Sequence, residues 1–113
     1  MKKVNWETEE IVALISIYER KENGEVFDLD SELQRLSNVL NQRADFLRIP
    51  HDEAYRNLTG MKMMYQNFIF VASNNTSGLP NASKRMYAIY ELYQKCPEAY
   101  RMILEDFSHR YSF

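Results

Sequence analysis

Residues 55–68 read YRNLTGMKMMYQNF, and the rest of the chain is interpreted around them. Apolar side chains recur at steps of three and four along this stretch and just beyond it, at Leu58, Met61, Tyr65, Phe68 and Ala72. That spacing predicts an amphipathic helix from about Leu58 to Ala72 with one buried face. Asn57 is expected to cap this helix, because its side-chain oxygen can accept a hydrogen bond from a free amide of the first turn.

The opposite face of this predicted helix is polar and basic. It carries Thr59, Lys62, Met63 and Gln66. Arg56 lies just outside the cap, so the helix fits the recognition helix of a DNA-binding protein. The same pattern also fits a core helix with an ordinary solvated face. Two roles stay open for Arg56: a pair with a nearby carboxylate such as Glu53, or a phosphate contact at the helix N-terminus.

The same residues carry a resemblance to a known family. Its pattern of an aromatic-Arg-Asn triplet, a Gly, a Met and an Asn-Phe pair is matched by Tyr55-Arg56-Asn57, Gly60, Met63 and Asn67-Phe68. This resembles the helical N-terminal module of bacterial HNH-endonuclease and related restriction or defence proteins. The similarity is strongest over residues 33–68, and Ser77-Gly78-Leu79 fits the Gly-Leu that commonly follows. It implies a DNA-binding accessory module that lacks the nuclease itself.

A second similarity lies near the start of the chain. Trp6-Glu7-Thr8-Glu9-Glu10, followed by three predicted helices, is similar to the Myb/SANT-like DNA-binding domains. It implies a helix-turn-helix-like arrangement of the first three helices.

The length and composition predict one globular domain over residues 1–113. The chain is 45% hydrophobic, which is enough for a real core. The only cysteine, Cys96, excludes an internal disulfide and is compatible with a cytoplasmic location. No apolar run is long enough for a signal peptide or a membrane span, so no membrane partner is expected.

The charge distribution favours the same central region. The net charge is −2, but residues 43–85 carry six basic and three acidic residues. This middle segment is the only one with a net positive charge. We therefore expect its cations to contact phosphates of double-stranded DNA: Arg43, Arg48, Arg56, Lys84 and Arg85. Thr59, Lys62 and Gln66 are expected nearest the bases.

The remaining apolar patterns complete an all-α fold of about five helices. The first helix is expected to begin near Asn5 or Thr8, and the second at Asp30 or Ser31, ending near Arg43. Residues 1–72 would form a three-helix core with the motif helix, and residues 73–81 a flexible polar loop. Residues 82–111 would form an antiparallel helix pair that begins at Asn81 or Ser83 and turns at Pro97. Gly60 is expected to let another helix approach closely.

No catalytic or metal-binding set can be assembled from the sequence. His51, His109 and Cys96 do not have the spacing of a zinc site. The crowded Glu7, Glu9 and Glu10 are expected as ordinary first-turn acids rather than metal ligands. We therefore expect no enzyme activity and no cofactor.

Two functions follow. The first is the DNA-binding module already described. The second is a protein–protein interaction module, either docked on a nuclease domain or part of a small phage or mobile-element protein that modulates a host or defence enzyme. The acidic first helix and the abundance of Tyr and Met favour that alternative.

Overall fold

A computed structural model describes residues 4–113, which form five α-helices and contain no strand. The fold is all-α, as the sequence predicts. The helices, numbered along the chain, are α1 Thr8–Glu22, α2 Leu29–Phe46, α3 Leu58–Ala72, α4 Lys84–Lys95 and α5 Pro97–Tyr111.

Helix α1 is the central element of the fold. Every residue from Glu10 to Ile17 is buried, and α1 contacts α2, α4 and α5. Residues 11–17 read IVALISI and are buried on all sides of the helix. A helix that is apolar all round belongs in the interior. The core is therefore shared by all five helices rather than formed by residues 1–72 alone.

Helix α1 begins at Thr8, one of its two predicted starts, but its predicted cap is wrong, and α2 begins one residue before the earlier of its predicted starts. Helix α1 is capped by Glu7, whose side chain accepts from the N3 amide while the Glu10 side chain accepts from the Glu7 amide. This reciprocal capping box replaces the predicted caps at Asn5 or Thr8. Helix α2 begins at Leu29 because Asp28 accepts from the Ser31 amide at 2.9 Å, and it runs on to Phe46.

Helices α2 and α3 pack against each other in the order expected of a helix-turn-helix pair. Residues 47–57 connect them. This connection is longer than the turn of about three or four residues in a helix-turn-helix. The connection between α2 and α3 is therefore not the short turn that a helix-turn-helix requires.

The polar loop after α3 is held against that helix. The Leu79 amide donates to the Gln66 carbonyl at 3.1 Å, and the Ser73 hydroxyl accepts from the Ser77 amide at 3.0 Å. Gly78 has φ +87°, and a Cβ there would lie 2.4 Å from the Gln66 carbonyl oxygen. The close approach and the left-handed backbone both require glycine. The loop thereby fixes the start of α4 relative to α3.

Helices α4 and α5 form a packed pair, joined at Cys96, with Pro97 as the first residue of α5. Ser83, one of the two predicted caps, accepts from the Met86 amide at 3.1 Å. Along residues 4–113, no helix is both long enough and apolar enough to cross a membrane.

Candidate functional site

A cleft of about 860 Å³ lies where the N-terminal segment, the start of α3 and the start of α4 meet. It brings together residues that are far apart in the sequence. Its lining includes Trp6, Tyr55, Arg56, Gly60, Met63, Met64, Asn67, Lys84 and Arg85. The motif stretch and the basic start of α4 therefore share one concave surface.

Arg56 forms one wall of the cleft, and its side chain is almost fully buried. Its guanidinium lies between two aromatic rings, 4.8 Å from the centre of Trp6 and 4.4 Å from that of Tyr55. Its Nε donates to Glu10 at 2.8 Å, and Nη1 donates to the Val4 carbonyl at 3.1 Å. Stacking and planar pairing at once are typical of arginine rather than lysine. Arg56 thus ties the N-terminal segment to the start of α3.

Arg43 belongs to the same buried ion cluster. Its Nε donates to Glu9 at 2.5 Å, and its Nη2 donates to Glu7 at 2.9 Å. Burial alone would lower the pKa of Arg43, but the hydrogen bonds to Glu9 and Glu7 raise it above its ordinary value. The three crowded glutamates are therefore partners of two arginines.

These placements correct two expected phosphate contacts. The side chains of Arg43 and Arg56 are only 5% and 7% exposed, and both are committed to glutamates. A phosphate could reach either guanidinium only by breaking a buried ion pair. Of the two roles open for Arg56, the structure shows the carboxylate pair, but the partner is Glu10 of α1 rather than the nearby Glu53.

The predicted outer face of α3 is exposed as expected. Thr59, Lys62, Met63 and Gln66 all lie on the surface, opposite the buried Met61, Tyr65 and Phe68. The Lys62 ammonium lies 3.3 Å from Asp30 of α2, and both side chains are about half exposed. Met63 belongs both to this face and to the cleft.

The remaining predicted cations are also on the surface. Lys84 and Arg85 form the first turn of α4 on the cleft rim, and Arg85 donates to the Trp6 carbonyl at 3.0 Å. Arg48 lies apart from them, just after α2, in a left-handed conformation with φ 57°. The structure therefore groups Lys84 and Arg85 with the motif and leaves Arg48 beside a shallow depression near His51.

Asn57 and Gly60 act together at the start of α3. Asn57 Oδ1 accepts from the Gly60 amide at 2.9 Å, which confirms the predicted cap. A Cβ on Gly60 would meet only that Oδ1, at 3.2 Å. No other helix approaches Gly60 within 4 Å in the described part of the chain, so that expectation is wrong. Its missing side chain instead leaves space in the cleft.

Asn67 is a site residue that the sequence pattern contained but that helical spacing did not select. It lines the cleft, is only 7% exposed, and its Oδ1 has no hydrogen-bond partner among residues 4–113. Its Nδ2 has a single long contact, 3.7 Å from the Met64 sulfur. A buried polar atom without a partner is uncommon in folded proteins. The available signal was its place directly before Phe68 in the sequence pattern.

The two histidines and the cysteine stay outside this site. His51 Nε2 lies 2.7 Å from Asp45, and its ring packs on Tyr55. Cys96 is exposed at the junction of α4 and α5. No group of three or more His, Cys, Asp or Glu residues with the geometry of a metal site occurs in residues 4–113.

Comparison of this chain with known protein families, with curated proteins and with solved structures finds no match.

Proposed function

We propose that this chain is a DNA-binding accessory module of a restriction or anti-phage defence protein, without nuclease activity of its own. One observation carries the proposal. Five residues of the restriction-like pattern line a single cleft beside two surface cations: Tyr55, Arg56, Gly60, Met63 and Asn67, with Lys84 and Arg85. Met63, Lys84 and Arg85 are exposed in this cleft, whereas Tyr55 and Asn67 are buried in its wall.

The electrostatics of the cleft support an anionic partner. Helices α1, α2 and α5 carry acids in their first turns, whereas α3 and α4 carry none. Both of these N-termini border the cleft, and α4 adds Lys84 and Arg85 there. The positive end of a helix dipole favours phosphate, and neither helix carries an acid in its first turn. Asp52 is the carboxylate that also lines the cleft.

In this proposal the exposed residues near the cleft have two roles. Lys84 and Arg85 contact phosphates at the cleft rim. Thr59, Lys62 and Gln66 present hydrogen-bonding groups along the outer face of α3, where a groove would meet them. Arg43 and Arg56 hold the scaffold that orients this surface and do not touch DNA.

The test is fluorescence anisotropy of a labelled duplex over a series of salt concentrations. Log affinity should fall linearly with log salt, by about 0.9 per phosphate neutralised. The double reversal Lys62→Glu with Lys84→Glu should abolish binding and leave the fold intact, because both side chains are exposed. Arg56→Glu is unsuitable here, since it would place a carboxylate against the buried Glu10.

A matched control is available at the other end of α4. Lys95 is 75% exposed and pairs with Glu91, so Lys95→Glu makes the same change of charge away from the cleft. Binding should survive a Lys95→Glu reversal made together with Arg101→Glu, which is also exposed. Absence of binding at low salt, or equal loss in both double variants, would defeat the DNA proposal.

A second candidate function rests on an exposed apolar pair at the end of α2. Phe46 and Leu47 are 75% and 43% exposed, and the Phe46 ring lies 6.4 Å from that of Tyr111. Exposed aromatic residues of this kind are typical of protein interfaces. This surface would serve a nuclease domain or a host or defence enzyme as partner. Loss of partner binding in Phe46→Ser, with DNA binding absent, would favour this candidate.

A further inference from the structure

The end of α2 carries an exposed segment with the sequence DFLR at residues 45–48, which we call the α2 corner. All four side chains are exposed, and the two apolar ones, Phe46 and Leu47, are 75% and 43% exposed. Leu47 is the C-cap of α2, and Arg48 has a left-handed backbone with φ 57°, so the segment lies at the tip of the helix. The α2 corner therefore displays an acid, two apolar side chains and a base, in that order along the chain.

The cleft displays the matching set of groups. Lys84 and Arg85 lie exposed on its rim, and Asp52 is an exposed carboxylate in its lining. Met63 and Met64 add apolar surface to the same cleft, and Met63 is 53% exposed. The cleft therefore combines cations, an apolar surface and a carboxylate, which are the groups that would pair with the acid, the apolar side chains and the base of the α2 corner.

We propose that the cleft binds the α2 corner of a second copy of this chain, so that copies associate head to tail. None of residues 45–48 lines the cleft, so the two surfaces lie on different parts of one molecule. One copy then contributes its corner and the next copy contributes its cleft, which makes the contact heterologous. This inference goes beyond the DNA-binding function and describes the cleft when no DNA is bound.

The apolar part of the contact supplies most of its affinity. Phe46 in one copy and Met63 in the next are both more than half exposed in the single chain. Their contact removes apolar surface from water in both copies at once. A methionine sulfur also makes a favourable contact with an aromatic ring, and the flexible methionine side chain can adapt to the ring that enters.

The charged residues set the direction in which the corner enters. The Asp45 side chain is 73% exposed, and its Oδ1 lies 2.7 Å from His51 Nε2 of its own chain, which leaves Oδ2 for Lys84 of the next copy. Arg48, at the other end of the corner, then faces Asp52. Entry in the reverse direction would bring like charges together at both ends, and such contacts suppress the wrong arrangement.

The test is sedimentation velocity over a series of protein concentrations at low salt, without DNA. The average mass should rise above the monomer mass of 13.5 kDa as the concentration increases. Phe46→Ser should weaken association about tenfold or more, and so should the double variant Met63→Glu with Lys84→Glu. All three side chains are exposed, so both variants should keep the helical circular dichroism of the unmodified chain. Val26→Ser is the control, because Val26 is 97% exposed but belongs to neither surface, and association should be unchanged.

A mixture of the two deficient variants tests the head-to-tail arrangement directly. Phe46→Ser keeps an intact cleft, and Met63→Glu with Lys84→Glu keeps an intact α2 corner. At a concentration where half of the unmodified chain associates, each variant alone should stay largely monomeric. Their equimolar mixture should form a species of twice the monomer mass, because only one intact contact is possible in each pair.

Three outcomes would overturn the inference. A chain that stays monomeric at every concentration would leave the α2 corner to the unlike partner of the second candidate function. Association that persists in Met63→Glu with Lys84→Glu would show that the corner docks elsewhere. A mixture that forms no dimer would mean that the contact is not head to tail, as for a symmetric contact between two α2 corners. None of these measurements contains DNA, so a negative result leaves the DNA-binding function standing.

Discussion

The basic residues of the middle segment divide into two groups with opposite surroundings. The side chains of Arg43 and Arg56 are buried and paired with glutamates at the start of α1. Lys62, Lys84 and Arg85 lie on the surface within or near the motif cleft. The comparison teaches that a positive segment of sequence is not a positive surface. A cation that tertiary packing places beside a buried carboxylate stabilises the fold, whereas a cation left on the surface stays available to a ligand.

The largest expected effect tests the buried group. Arg56→Ala leaves the carboxylate of Glu10, which is 0% exposed, without its closest partner. Breaking one side of a buried ion pair costs about 3–5 kcal/mol, so the free energy of unfolding measured with denaturant should fall by that amount. Lys62→Ala removes a half-exposed pair and should cost about 0–1 kcal/mol. Similar losses in the two variants would erase the distinction between the groups.

The next effect tests how the surface group is held in place. Gly78→Ala forces a Cβ against the Gln66 carbonyl and the Phe70 amide, and it also strains a backbone with φ +87°. Such strain costs about 1–3 kcal/mol. Gly24 is the control, because its φ is +84° but nothing lies within 4 Å of a Cβ there. Thermal unfolding should show a larger loss for Gly78→Ala than for Gly24→Ala. Equal losses would mean that the loop does not fix the start of α4.

A smaller effect concerns the cap on the cleft side of α3. Asn57→Ala removes the acceptor of the Gly60 amide and should lower the free energy of unfolding by about 0.5–2 kcal/mol. Asn57→Asp keeps an N-cap acceptor and should be nearly neutral. The reading of Asn57 as a scaffold residue would fail if Asn57→Ala kept full stability but lost DNA binding.

The smallest effect is a pH dependence at the edge of the buried region. The hydrogen bond to Asp45 raises the pKa of His51 above its ordinary value. The pair therefore contributes stability below the ordinary histidine pKa, and this contribution is lost as pH rises through the raised value. His51→Gln and Asp45→Asn should each remove this part of the pH profile of thermal unfolding. A profile unchanged in both variants would contradict the pairing.

The sequence predicted the elements whose signals are local. The span of α3, the Asn57 cap and the position of Pro97 at the start of α5 all follow from spacing and from residues within one turn. The caps of α1 and α2 were predicted at the wrong residues, and for α1 the cause is local. Glu7 is a weaker intrinsic cap than Thr8 and succeeds only through its reciprocal bonds with Glu10.

The partners of the candidate site could not be read from spacing. Arg56 pairs with Glu10, which is 46 residues away, although Glu53 is close in sequence. The concave surface forms only where Trp6, α3 and α4 meet. Hydrophobic periodicity predicts which face of a helix is buried, but it does not predict which other element packs against that face. Asn67 was present in the family pattern, but only the packed structure shows that its amide oxygen lacks a partner.

The central position of α1 has a consequence for synthesis of the chain. The run IVALISI at residues 11–17 is synthesised before α4 and α5, which cover two of its sides. Until then an apolar segment rich in Ile and Val, without charge, stays open to other nascent chains. A chain that stopped after Ala72 would keep it open permanently. The acidic residues Glu7, Glu9 and Glu10 lie directly before this run, which is the flanking position where charged residues oppose aggregation.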